Sequence, residues 1–143
     1  MTIKETAGKM LLYFYQLQRT APLTMPYRQI GFVTKKEGGV GVTSDKKWLT
    51  KDLLSINPVS NDIFNAFLFL MKKNFIETRE RTTAGAKVYV GIHLSELGID
   101  VIEGIERGEE GRQDFTRTFN ISVDGVSEVD ELIKDTLTNL SEQ

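Results

Sequence analysis

His93 is the sole histidine among 143 residues, and no cysteine occurs anywhere in the chain. A cysteine-ligated metal, a thiol nucleophile and a disulfide framework are therefore excluded. An imidazole acting as ligand or base needs partners at suitable spacing, and none accompanies His93, so a structural or surface role is expected for it. Glu103, Glu106, Glu109 and Glu110 form an acidic run that reads as solvated charge around a helix end. Gly38 and Gly39 follow a lysine pair but lack the Gly-Lys-Ser/Thr continuation of a phosphate-cradling loop, which leaves a plain turn. No catalytic constellation, cofactor site or metal site is expected. The remaining residues with chemistry to offer are cations and amides. Lys51, Lys72, Arg79, Arg81 and Lys87, with Ser60, Asn61 and Asn65, can hydrogen-bond phosphates and base edges. Each cation taken singly is equally well a solvated surface group.

These residues need a scaffold. A chain of 143 residues, 40% hydrophobic and 27% charged, can bury one core. No stretch approaches the roughly 20 apolar residues of a membrane span, and a cytoplasmic setting is the default expectation. The formal net charge is −2. Any basic footprint must then be local.

From Lys4 to Arg19 the residues Ala7, Met10, Leu11, Phe14 and Leu17 recur at helical steps, and Ala21-Pro22 ends the pattern. Leu12, Tyr13 and Tyr15 widen its apolar band beyond one core contact, which suggests a second surface, plausibly another subunit. Ile30 to Thr34 and Val40 to Thr43 read as strands around the glycine turn. A short helix carrying Leu53, Leu54 and Ile56 follows, capped by Thr50 or Asp45 and ended by Asn57-Pro58. A second helix starts at a Ser60 or Asn61 cap and runs to about Asn74. Phe75 to Arg81 and Val88 to Leu94 form a hairpin, with Val88, Val90, Ile92 and Leu94 on one side. Ser95 caps a helix from Glu96 to Glu106. Arg107 to Asp114 reads as a linker. Beyond it, Phe115, Phe119, Ile121 and Val123 share a parity that predicts a strand. Ser127 and Asp130 resemble a capping box, and Val129, Leu132, Ile133, Leu137 and Leu140 form a helical stripe behind it. The expected class is α+β, with a main domain over residues 1–108 and a strand–helix tail over 109–143 that packs on it or on a second copy.

Helix, strand, helix, turn, helix, hairpin, helix is the order of a winged helix–turn–helix domain. Leu49-Thr50-Lys51-Asp52-Leu53, Leu70-Met71-Lys72-Lys73-Asn74-Phe75-Ile76-Glu77 and His93-Leu94-Ser95-Glu96-Leu97-Gly98 resemble regulators of the multiple-antibiotic-resistance repressor (MarR) type. Asn74 and Ser95 depart mildly from that pattern. The stretches Phe75 to Arg79 and Leu94 to Glu103 also look like the DNA-binding adaptors of tubulin-type plasmid partition, in which paired recognition helices help form the dimer and enter the groove together. These resemblances imply a winged helix that binds double-stranded DNA as a homodimer, as a transcriptional regulator or as a plasmid or phage maintenance factor.

At about 100° per residue, the apolar residues of the helix starting near Ser60 fill an arc of about 200°, wider than one core contact requires. Phe64, Leu68 and Phe69 are the expected dimer contacts, joined by Leu132, Ile133 and Leu137 of the tail. Asn61 and Asn65 are placed at base edges, and Arg79, Arg81 and Lys87 at phosphate or the minor groove. Lys35, Lys36, Lys46, Lys47 and Lys51 are placed at the backbone. No residue identifies a small-molecule effector. The other reading is an interaction module that has lost DNA and binds protein through Phe64, Leu68, Phe69 and the tail.

Overall fold

The computed structural model describes residues 1–20 and 28–123. The described chain is α+β. Its elements run α1 (Ile3–Thr20), β1 (Gln29–Thr34), β2 (Val40–Ser44), α2 (Lys47–Ile56), α3 (Ser60–Lys72), β3 (Ile76–Thr83), β4 (Ala86–Leu94), α4 (Glu96–Arg107) and α5 (Glu109–Phe119). The four strands form one antiparallel sheet in the order β2-β1-β4-β3. No described helix is long and apolar enough to cross a membrane.

The wide apolar band of α1 is consumed inside the chain. Ala7, Met10, Leu11, Leu12, Tyr13, Phe14 and Leu17 are all buried, because α1 packs against α3, α5, β4, α4 and α2 at once. Tyr15, at the margin of the band, donates a hydrogen bond to Glu103 at 3.0 Å. A second subunit is not needed to explain this helix.

The helices cover the sheet face that carries Ile30, Phe32, Val42 and Tyr89, all buried. Phe67 of α3 lies 5.6 Å from Phe32 and 4.9 Å from Tyr89, ring centre to ring centre, and Phe14 meets it edge-on at 6.5 Å. In β4 the expected alternation fails. Tyr89 enters the core while Val88 and Val90 stay half-buried. The cause is a bulge: Ile92 and Gly91 together oppose Thr78, and Gly91 has φ of +65°. One extra residue in the left-handed region reverses which parity points inward.

The expected linker and strand over residues 107–123 are instead helical. Gly108 breaks the chain between α4 and α5, and Phe115 and Phe119 are both fully buried, with Phe119 packed against Phe69, Phe75 and Phe115. Residues four apart share a helix face as readily as they share strand parity, and here packing chose the helix. Gly111 sits where a Cβ would lie 1.9 Å from the Gly104 carbonyl oxygen, so this glycine permits close helix approach. Phe115, Phe119 and Val123 thus join the core that the earlier elements build. The tail positions Leu132, Ile133 and Leu137, with the Ser127 capping box, lie outside the described residues.

Helix starts also differ from expectation. Lys46 and Val59 occupy the N-cap positions of α2 and α3, each without a side-chain cap. Ser95 does cap α4, accepting from the Gly98 N–H at 3.0 Å. There the helix backbone touches the strand: a Cβ on Gly98 would stand 2.1 Å from the Phe75 carbonyl oxygen. Gly98→Ala should cost about 2–3 kcal/mol in urea unfolding, since backbone must move. Gly104→Ala, whose added Cβ meets nothing closer than 3.5 Å, should instead gain up to about 1 kcal/mol from helix propensity.

Candidate nucleic-acid interface

The α2–α3 pair is built around Asn57, which is 4% exposed. Its amide donates to Thr6 Oγ1 at 3.0 Å and to Asp62 Oδ2 at 3.2 Å, and its carbonyl accepts from the Val59 N–H at 2.9 Å. One side chain therefore joins α1, the inter-helix turn and the first turn of α3. The same contact turns Asp62 back toward the core and away from the exposed face of α3, and its carboxylate also suits the positive end of that helix.

The start of α3 is stitched to the edge strand β2. The Val40 N–H donates to Asn61 Oδ1 at 2.8 Å, and the Val42 N–H reaches Ser60 Oγ at 3.4 Å. These are the outward N–H groups of an edge strand, and polar side chains satisfy them. Asn61 also abuts Gly39, where a Cβ would sit 3.0 Å from its amide. Ser60 and Asn61 are thereby held as positioning residues. Base-edge contact by Asn61 would break its bond to β2. Asn65, one turn further along α3, is exposed, as is Lys72 at its end.

The apolar residues of α3 are accounted for in part within the chain. Phe64 stacks on Phe32 with ring centres 4.7 Å apart, and Phe69 meets Phe119 at 6.3 Å. Phe69, expected on the open side of the helix, is covered by α5. Leu68 remains half-buried.

Both hairpin turns lie at one end of the sheet, tied by the Thr34 N–H to the Gly85 carbonyl at 3.0 Å. This end adjoins the first turn of α3 and carries Lys35, Lys36 and Lys87, all exposed. Lys87 stands directly opposite Phe32 in the ladder and so shares the α3 side of the sheet. Arg79 and Arg81 do not. Paired with Val90 and Val88, they point from the opposite face. Lys46, Lys47 and Lys51 gather at the far end of β2, about 15 Å along the strand. Glu80 is engaged by Tyr89: burial first, and the Glu80 carboxylate second, push that phenol up to about 12. The acidic residues Glu96, Asp100, Glu103 and Glu106 are exposed on α4, and Glu37 is exposed beside Lys36 in the first hairpin turn. Before residue 124 the chain has 17 Lys and Arg against 14 Asp and Glu.

Among the described residues no group of three His, Asp or Glu side chains is placed to hold a metal ion. His93 is exposed and bonds Glu77 at 3.0 Å and the Gly91 carbonyl at 2.9 Å. No family model, curated protein or solved structure matches the chain. The interface therefore rests on its own geometry.

Behind it lies a buried polar joint that no sequence pattern announced. Tyr13 donates to Asp52 Oδ2 at 2.6 Å, and the buried Arg28 guanidinium lies 4.4 Å over the Trp48 ring. Burial raises the Asp52 carboxyl above its ordinary range, against the opposing pull of the Tyr13 hydrogen bond and of Lys51 and Arg28. A carboxyl raised on folding adds stability that is present below the unfolded value of about 4 and is lost as pH rises through the folded value. The isosteric Asp52→Asn chain should therefore gain on the native chain as pH rises from about 4, and then run parallel to it. Urea unfolding across pH reads this directly; a constant difference at every pH would contradict it.

Proposed function

We propose that the chain is a winged-helix-type DNA-binding protein in which α3 reads a duplex groove while the joined hairpin turns hold the phosphate backbone. The observation that carries this is the shared placement of Asn65 and Lys72 on the open side of α3 with Lys36 and Lys87 at the sheet end beside it. An α-helix fits the major groove, an exposed asparagine matches adenine edges, and lysines at one flank suit phosphates. Lys46, Lys47 and Lys51 supply a second backbone contact past the other end of β2.

Arg79 and Arg81 take no part in this contact, because their sheet face is the other one. Asn61 contributes by fixing the hairpin against α3. Regulation and replicon maintenance remain equally compatible roles for such a protein.

Fluorescence anisotropy with a random duplex of about 20 base pairs tests the proposal. Between about 50 and 200 mM salt the affinity should fall steeply, as counterion release requires. The Lys36→Ala/Lys87→Ala chain should bind about 10-fold more weakly and show a salt slope lower by about two. Arg79→Ala/Arg81→Ala should change affinity by less than about twofold. Absence of binding at the lower salt, or a lysine double variant indistinguishable from the native chain, would overturn it.

A further inference from the structure

We infer that two copies of the chain pair antiparallel through the free edge of β3, with Thr78 on the two-fold axis, so that their sheets become continuous. The two edges of the sheet are finished differently. At β2 the outward N–H groups of Val40 and Val42 are taken by Asn61 and Ser60. β3 is the other edge, and among the described residues no side chain caps its backbone in that way. Thr83 pairs with Ala86 across the two-residue turn, so Thr83, Arg81 and Arg79 exchange their backbone bonds with β4. Below the bulge the Ser95 N–H donates to the Phe75 carbonyl at 3.0 Å, which makes Glu77 the next bonded position. Ile76, Thr78 and Glu80 therefore turn N–H and C=O outward, a template about 17 Å long.

Charge selects the occupant and its register. Residues that oppose one another in a sheet share a face, so a two-fold axis relating two β3 strands passes through one residue position. An axis at Glu77, Arg79, Glu80 or Arg81 sets like charges face to face, and one at Ile76 or Thr82 runs the pairing past a strand end. With the axis at Thr78, threonine meets threonine, and Glu77 of each copy opposes the partner's Arg79. Glu77 and Arg79 are both exposed. Glu77 already bonds His93 at 3.0 Å, yet its side chain is 64% exposed and has lone pairs to spare for a guanidinium. Three bonded positions, Ile76 with Glu80, Thr78 with Thr78 and Glu80 with Ile76, supply about six backbone hydrogen bonds.

The same register carries the hairpin arm of each copy past the start of the other's β3. There the partner's Arg81 comes beside a shallow hollow lined by Asn74, Glu77, Ser95, Glu96, Leu97 and Asp100. Three of these are carboxylates, and Leu97 is 49% exposed among them. A cationic arm thus meets an acidic hollow at both ends of the shared strand, a match that involves residues outside the strand pairing itself. Arg79 and Arg81, which point away from the duplex contact, gain partners here. The pairing concerns the β3 edge and holds whether or not a duplex binds α3.

Sedimentation equilibrium of the full chain without DNA, from about 5 to 300 μM, tests the pairing through a charge swap. The native chain should approach twice its monomer mass across that range. Glu77→Arg alone and Arg79→Glu alone each set like charges opposite one another twice, and each should weaken the dimer about 10-fold or more. The double variant Glu77→Arg/Arg79→Glu restores unlike pairs and should return to within about threefold of the native chain. Because the native sequence has no cysteine, Thr78→Cys should also give a disulfide-linked dimer on mild oxidation, whereas Thr50→Cys should not. A native chain that stays monomeric throughout, single variants that dimerise as well as the native chain, or a double variant no better than the singles would each overturn the inference.

Discussion

The buried amide of Asn57 is the constraint on which the arrangement of the helix pair depends. A side chain 4% exposed cannot turn to water for its partners, so its donors and acceptor are satisfied only while α1, the turn and α3 hold their relative positions. Apolar contacts alone tolerate sliding; a polar group out of water does not, because each lost partner leaves a desolvated atom costing about 1–3 kcal/mol. The pair Tyr13 and Asp52 makes a second joint of the same kind between α1 and α2. Together they fix α2 and α3 to the central helix by direction as well as by burial. Loosening either joint would blur the outward face of α3 before it unfolded the core.

A second constraint comes from the edge of the sheet. Strand β2 ends the sheet, and its outward N–H groups at Val40 and Val42 are taken by Asn61 and Ser60. The same two bonds block edge-to-edge pairing and lock the lysine-bearing turn to the first turn of α3. Helix and hairpin become one surface, which is why residues far apart in sequence, Lys36, Asn65 and Lys87, are presented together.

Much of this was legible in the residues themselves. The first helix, both hairpins, α3 and α4 each have a clear period bounded by Gly, Pro, Asn or Ser, and local signals suffice where they agree with packing. Three features were not. Phe115 and Phe119 fit a strand and a helix alike, and Gly111 looked like a breaker although its lack of a side chain is what lets α5 approach Gly104. In β4 the alternation looked strict, yet Gly91 inside it was the available sign of a bulge that turns Tyr89 inward and leaves Val88 and Val90 on the far face. Asn57 looked like a helix stop, and its role as a joint exists only through Thr6, 51 residues away. The wide apolar arcs of α1 and α3 suggested a partner chain, but five neighbouring elements use the first, while Phe32 and Phe119 meet Phe64 and Phe69 of the second.

The claim at the centre of the account is that a duplex meets the open side of α3 and the joined hairpin turns. Titrating isotope-labelled full chain with a short duplex and following amide and side-chain resonances locates the contact residue by residue. Shifts should concentrate at Asn65, Lys72, Lys36 and Lys87, with Glu96, Asp100 and Glu103 on α4 unmoved. Shifts centred on α4 and α5, or none up to excess duplex at low salt, would contradict the account.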